Sequence, residues 1–403
     1  MMEKVFIVAA KRTPVGSFGG SLKGVDAGHL GAKAIQGVLT AASLSPKNVD
    51  EVIVGNVVGA GQGMSVGRQA SIFAGIPETT PAYSINMVCG SGMKAVMEGV
   101  SHIRSGDARV VVAAGVEVMS QIPFALPGGV RDGNKMGDMT LVDLLVHDGL
   151  TDVFNQYHMG CTAENIAKEY DISREEQDQF SLASQQKAVA AIEAGKFVDE
   201  IIPVDVKVKR DTVVFDTDEH PKATTSLELL SRLRPAFVKD GTVTAGNASG
   251  LNDGASAIIV ASESAVKEYG LTPIVEIVSY AQAGVDPKVM GLGPVPAVTK
   301  ALKRAEKKLD EMDLLELNEA FAAQALGVVK GLSREHAVPE EAILQKANVN
   351  GGAIALGHPL GASGNRILVT LIHELKRRGG EYGVASLCIG GGMGTAVIVK
   401  AVG

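Results

Sequence analysis

Residues 88–96 read VCGSGMKAV, a cysteine set directly before a Gly-Ser-Gly turn and the start of an expected helix. Upstream, EVIVGNV (51–57) has the short apolar run of a buried strand. Downstream, the helix MKAVMEGVSHIRSG (93–106) gives way to the strand RVVVAAG (109–115). Further out, VFIVAAKRTP (5–14) reads as a strand and GHLGAKAIQGVLTAASL (28–44) as an amphipathic helix. The other end of the chain follows the same script. PIVEIVSYAQAG (273–284) is a strand, PVPAVTKALKRAEKKL (294–309) a helix, and DLLELNEAF (313–321) a strand and turn. GHPLGASGNRILVTLIHELKRR (357–378) is a Gly-rich turn and helix, and EYGVASLCIG (381–390) and GTAVIVKAV (394–402) close as strands. Short apolar runs alternating with helical periodicity predict a layered α/β fold, and the matched order predicts an internal duplication.

Between the two scripts, roughly residues 120–270 are more polar. They hold the turn-rich LPGGVRDGNKMGD (126–138) and the helix SREEQDQFSLASQQKAVAAIEAG (173–195), whose charge pattern reads as a solvated surface element. Ser173 and Glu176 fit a capping box at its start. TVTAGNASGLNDGASAIIVAS (242–262) is a Gly/Asn-rich loop feeding a buried strand. The expected division is an N-terminal half at 1–119, an inserted loop domain at 120–249, a strand completing the first half at 250–271, and a C-terminal half at 272–403.

The formal net charge of -7, with both signs interspersed, argues against general nucleic-acid or membrane binding. Three scattered cysteines, Cys89, Cys161 and Cys388, argue against a disulfide framework or a metal site. No secretory signal, import presequence or membrane-length apolar run is evident, so a reducing cytoplasm is expected. GAGQGMSVG (59–67) misses the G-x-G-x-x-G spacing of a dinucleotide loop.

A cysteine at a helix start faces free amides and the positive end of the helix dipole, which favour the thiolate. His358, in a turn before another helix, is a candidate proton acceptor for such a thiol. Cys388 ends the strand VASLC before three glycines that can expose amide donors, and Asn318 in LNEAF can orient a water. Each residue taken alone also has a structural reading as turn, core or cap. Cys161 reads as a small buried filler.

In this order, VCGSG, YHMG, GNASGLNDGA, NEAFAAQ, NVNGGAIALGHPLGASG and CIGGGMG resemble the thiolases over essentially the whole chain, and most closely their short-chain, acetoacetyl-CoA branch. The resemblance implies a duplicated five-layer α-β-α-β-α fold with an inserted loop domain. It implies reversible Claisen condensation of two acetyl-CoA to acetoacetyl-CoA and CoA, with no metal or other cofactor, in a homotetramer built as a dimer of dimers. The 120–140 loop would be the tetramer contact. Carried onto this chain, Cys89 would hold the acyl group, His358 would activate it, and Cys388 would be the acid/base at the α-carbon. Asn318 would hold a water, and the amides of Cys89 and Gly390 would form an oxyanion hole. His158, Met159 and Met290 would line the acyl pocket, Met159 narrowing it. Phe237, Ala248 and Ser249 would contact pantetheine, and Lys222 would lie near the CoA phosphates.

Departures from the family pattern occur at GMSVGRQA (63–70), INMVCG (85–90), AGVEVMS (114–120) and Cys161, none of which removes a candidate catalytic group. A longer-chain 3-ketoacyl-CoA thiolase is the second reading. A ketoacyl-synthase-like condensing enzyme would use two histidines, which the Cys388 loop argues against. A non-catalytic acyl-CoA-binding protein stands as the alternative of another class, opposed by the presence of all four side chains.

Overall fold

The computed structural model describes residues 3–402. Nine strands are named here in chain order: β1 (Val5–Arg12), β2 (Glu51–Gly55), β3 (Ala82–Ile85), β4 (Val110–Val118), β5 (Asn252–Ser262), β6 (Val275–Gly284), β7 (Leu314–Leu317), β8 (Tyr382–Ile389) and β9 (Met393–Ala401). They form one continuous hydrogen-bonded path, β7-β8-β9-β6-β1-β5-β4-β2-β3, with the two-residue strand Gly16–Ser17 beside β5. Read outward from the centre, β1-β5-β4-β2 and β6-β9-β8-β7 are the same script in mirrored order. The outermost pairing of each script repeats as well: β4 and β2 are parallel, as are β8 and β7. The halves meet in the sheet through two residue pairs, Phe6 with Glu276 and Ile7 with Val275.

The helices that matter to the site are α1 (Ala27–Ala42), α2 (Val66–Phe73), α3 (Ser91–Ser105), α4 (Met159–Glu169), α5 (Arg174–Glu193), α6 (Pro294–Ala305), α7 (Ala322–His336) and α8 (Leu360–Arg378). Alternate side chains of a strand point to opposite faces, and the apolar clusters sort accordingly. Ile53, Val111, Ala113, Ile258 and Val260 face inward with Ala385, Leu387, Val397 and Val399 of the second half, around α3 and α8. Val52, Val54, Val112 and Ile259 face α1 and α2 on one outside, and Leu315, Val384 and Ile398 face α6 and α7 on the other. Five layers result, with α3 and α8 as the buried middle one. Of the α8 residues, fifteen are buried, including the polar Ser363, Asn365, Arg366 and Thr370.

The chain between β4 and β5 leaves the first half and returns to it, since β5 pairs with β1 and β4 over most of its length. Buried ion pairs pin this excursion: Arg12 at the end of β1 donates to Glu200 at 2.6 Å and to Asp218 at 2.7 and 2.9 Å. The capping box of Ser173 and Glu176 is formed at the start of α5. The expectation that α5 is a solvated element is overturned. Its Gln177, Asp178, Ser181, Ser184 and Gln185 are buried. A polar face can be buried when it is hydrogen-bonded, and here Ser184 donates to Glu319 (2.6 Å), Gln185 to the Ile354 carbonyl (3.3 Å), and Asn247 to Asp178 (3.0 Å). The polar face therefore grips the loops on either side of the candidate site.

Candidate active site

The N-termini of α3 and α8 meet backbone to backbone in the middle layer. A Cβ on Gly92 would lie 2.8 Å from the Gly361 carbonyl oxygen, and one on Gly364 would overlap the Met93 amide. These two glycines let a loop from each half reach the same spot.

The loop of the first half carries Cys89. Val88, just before it, is held at φ +44°, a left-handed conformation costly for a β-branched residue. The elbow is clamped on both sides. The Val88 amide donates to Asn86 Oδ1 at 2.9 Å, and Asn86 Nδ2 donates to the Val57 carbonyl at 3.0 Å. Ser91 Oγ donates to the Val88 carbonyl at 2.6 Å and accepts from the Met87 amide at 2.8 Å. The Cys89 thiol is buried and faces the backbone N–H groups of Gly390 and of Cys89 itself.

Here the expectation of a thiol drawn toward the thiolate fails. Burial pushes Cys89 up to about 11, against the pull of the two amides, and the charge of Glu117 adds to the rise. The helix terminus acts, but desolvation outweighs it. Cys388, buried in β8, is raised by burial and by its nearness to Cys89.

The loop of the second half carries His358. Its backbone amide donates to Asn252 Oδ1 at 2.9 Å, and Nδ1 lies 2.6 Å from Ser363 Oγ. Ser363 commits its own proton to the Pro359 carbonyl at 2.8 Å. Nδ1 therefore carries the ring hydrogen and donates it to Ser363, an assignment inferred from the bonding pattern. That leaves Nε2 as a lone pair, buried and without a hydrogen-bond partner among the described residues. Burial, with Arg366 adding to it, holds the imidazole down to about 3, so it is neutral at rest. A thiol and a neutral base, not an ion pair, is the resting arrangement.

Cys89, His358, Cys388 and Gly390 line one cavity of about 410 Å³. His158, Met159, Phe237, Ala248, Ser249 and Met290 line it too, so ten of the twelve expected residues converge there. His158 stacks on Phe237 with ring centroids 4.5 Å apart, and its Nδ1 accepts from the Gly160 amide at 3.0 Å. Phe237 meets Phe321 edge-on at 6.1 Å. Asn318 is buried and does not line the cavity, while its loop neighbours Ala320 and Phe321 do. The Asn318 amide donates to the Ser386 carbonyl at 3.0 Å, and both ends of its side chain lack partners among the described residues. A buried unpaired carboxamide is suited to holding a water.

Lys222 does not join the cavity. It is exposed, and its backbone amide is what bonds, to Gln185 Oε1 at 2.8 Å. Cys161 is half-buried rather than core, its sulfur turned toward the Phe237 carbonyl at 3.9 Å. Several contributors escaped the sequence reading. Val146, Gly149 and Leu150 reach the cavity from a single π-helical turn, Leu145–Leu150. Glu164 accepts from the Thr242 and Val243 amides near the Phe237 loop, each at 2.8 Å. Ser363 and Asn252 set the histidine. A glutamate inside the apolar run of AGVEVMS was a legible signal for the buried Glu117.

A deep, mostly apolar cavity with a cysteine, a neutral histidine and two converging amides defines an acyl-transfer site. Models of the thiolase N-terminal and C-terminal domains match residues 5–264 and 271–401. The chain belongs to the thiolase family. It is similar to an acetyl-CoA acetyltransferase of Cupriavidus necator, 56% identical over 99% of this chain and 100% of that one. It is similar in structure to an acetyl-CoA acetyltransferase of Syntrophomonas wolfei, with a TM-score of 0.97 at 41% identity over the full length of both. The human mitochondrial 3-ketoacyl-CoA thiolase aligns with a TM-score of 0.95 at 49% identity, also over both whole chains.

Proposed function

We propose that this protein is an acetyl-CoA acetyltransferase that condenses two acetyl-CoA to acetoacetyl-CoA and CoA, reversibly, through an acetyl thioester on Cys89. The observation that carries this reading is the convergence of the Cys89 and Gly390 amides on the Cys89 sulfur, in one cavity with His358 and Cys388.

In the first half-reaction the Cys89 sulfur attacks the acetyl carbonyl while its proton passes to His358 Nε2. The departing CoA thiolate takes the Cys388 proton. The new thioester oxygen rests in the pocket of the two amides. Cys388, now a thiolate, removes an α-proton from the second acetyl-CoA. The enolate oxygen is held by the protonated His358 and by a water on Asn318. The enolate carbon attacks acetyl-Cys89, the amides hold the tetrahedral oxyanion, and expelled Cys89 recovers its proton from His358. All three groups return to their resting forms. Oxyanion donors of this kind each contribute ~3–4 kcal/mol. The thioesters supply the chemistry, and no metal or redox cofactor enters.

His158, Met159, Met290 and Phe237 shape the acyl and pantetheine channel in this reading, with Ala248 and Ser249 at its mouth. The excursion at 120–249 acts as the CoA-binding loop domain. Exposed Phe124, Leu126, Met139 and Leu141 support a homotetramer contact in and just beyond the 120–140 loop. No helix among the described residues is long and apolar enough to cross a membrane, which fits the cytoplasmic site we propose.

The test is CoA-dependent cleavage of acetoacetyl-CoA and of a longer 3-ketoacyl-CoA, by wild type and Cys89→Ala. Preference for the short substrate, lost by a factor of about 10⁴ or more in the variant, is expected. Preference for the longer substrate would favour the second reading, a longer-chain thiolase. The cavity volume and the similarity to the human 3-ketoacyl-CoA thiolase give that reading its weight.

A further inference from the structure

Glu117 is fully buried near the end of β4, and no step above uses it. Its carboxylate accepts four N–H groups. Oε2 takes those of Val57 at 3.0 Å and Gly361 at 2.9 Å, and Oε1 takes those of Val58 at 3.2 Å and Asn56 Nδ2 at 3.3 Å. It makes no salt bridge among the described residues. A buried carboxylate without a cation is costly unless its lone pairs are filled; here three of the donors come from the 56–58 loop, which Asn86 ties to the Cys89 loop, and the fourth from the first turn of α8, three residues after His358.

On one side, Val57 accepts from Asn86, and Asn86 accepts from Val88, the residue before Cys89. On the other, Gly361 lies in the first turn of α8, which also holds Ser363 under the His358 ring. We propose that Glu117 is a positioning residue, a single anchor that fixes the Cys89 loop and the His358 loop at their working separation. This rests on the acyl-transfer reading of those two side chains.

A carboxylate suits the task because both of its oxygens accept. Glutamine keeps the shape but turns an NH2 toward two of the four donors. Burial pushes Glu117 up to about 7 against the pull of its N–H partners. Of the elements around it, the 56–58 loop, Gly254 across the sheet and Gly361 bring no charge, and Cys89 lies near enough to feel its charge. Above that pH the ionised group accepts all four bonds. Below it, the added proton makes one oxygen a donor facing other donors, so turnover should fall as pH drops through this range.

The test uses the full-length enzyme and follows acetylation of Cys89 by acetyl-CoA, by rapid quench and mass spectrometry, beside steady-state thiolysis and thermal melting. Glu117→Gln should acetylate Cys89 about 100-fold more slowly, as expected for a nucleophile misplaced by about 1 Å. KM for acetoacetyl-CoA should stay the same, and the acid limb of the pH profile should flatten. Asn86→Ala, at an exposed position, cuts the Cys89 branch alone and should slow acetylation about 10-fold. It decides the matter if Glu117→Gln does not fold. Both variants acetylating at the wild-type rate, or Glu117→Gln losing kcat, KM and melting temperature together with its pH limb intact, would overturn the inference. Wild type that never acquires acetyl on Cys89 would instead remove the functional reading, and this inference with it.

Discussion

The starts of α3 and α8 occupy corresponding places in the two halves, and neither has a side-chain cap among the described residues. Both loops turn through a left-handed residue just before the chemistry. In the second half that residue is Gly357 at φ +103°, where the conformation is free of a Cβ penalty. In the first it is Val88 at φ +44°, where it is not. The Val88 side chain does something glycine cannot: it lines the cavity beside Gly390. A duplicated frame has therefore been specialised by what each turn must hold. One turn aims a sulfur and tolerates strain. The other presents a ring whose orientation is set by Ser363 and Asn252.

The comparison breaks most visibly at the ring. His358→Ala should lower kcat for thiolysis of acetoacetyl-CoA about 10³-fold, the size of a lost general acid-base group, with melting little changed. A loss below tenfold would mean that the two turns do not cooperate. Next in size is the crossing itself. Gly364→Ala puts a methyl group against the Met93 backbone, which cannot rotate away. Denaturant unfolding should show a loss of about 3 kcal/mol. Gly99→Ala, on the same α3, meets only Val111 side-chain atoms, the nearest at 3.1 Å, and should cost about 1 kcal/mol or less. Equal costs would show that the helices do not depend on backbone contact there. Smallest is Val88→Gly, which relieves the strained turn. It should raise stability by about 1 kcal/mol while turnover falls. A variant both more stable and fully active would make the strain incidental.

Much of this was legible because it is local. The period of VFIVAAK or EVIVGNV is written within a few residues, and so is the order of strands and helices that repeats in the second half. The turns bearing Cys89, His358 and Cys388 announce themselves by their glycines. What escaped was set by distant partners. Cys89 stands at a helix start, yet its thiol rises because surrounding packing removes water, and no neighbour in sequence encodes that. The polar face of α5 looked solvated because its partners, Glu319 and Ile354, lie more than a hundred residues on. Glu117 gathers donors from residues 56–58 and 361, a grouping only the folded chain makes.

The sheet joins the halves by just two residue pairs, and the candidate site draws its cysteines and histidine from both. Catalytic rate is consequently a gauge of assembly. A molecule whose halves are each well formed but mutually displaced by an ångström would keep its circular dichroism, and would turn over about 100-fold more slowly. For such a protein, specific activity reports maturation of the newly made chain more sharply than any spectroscopic measure of folding.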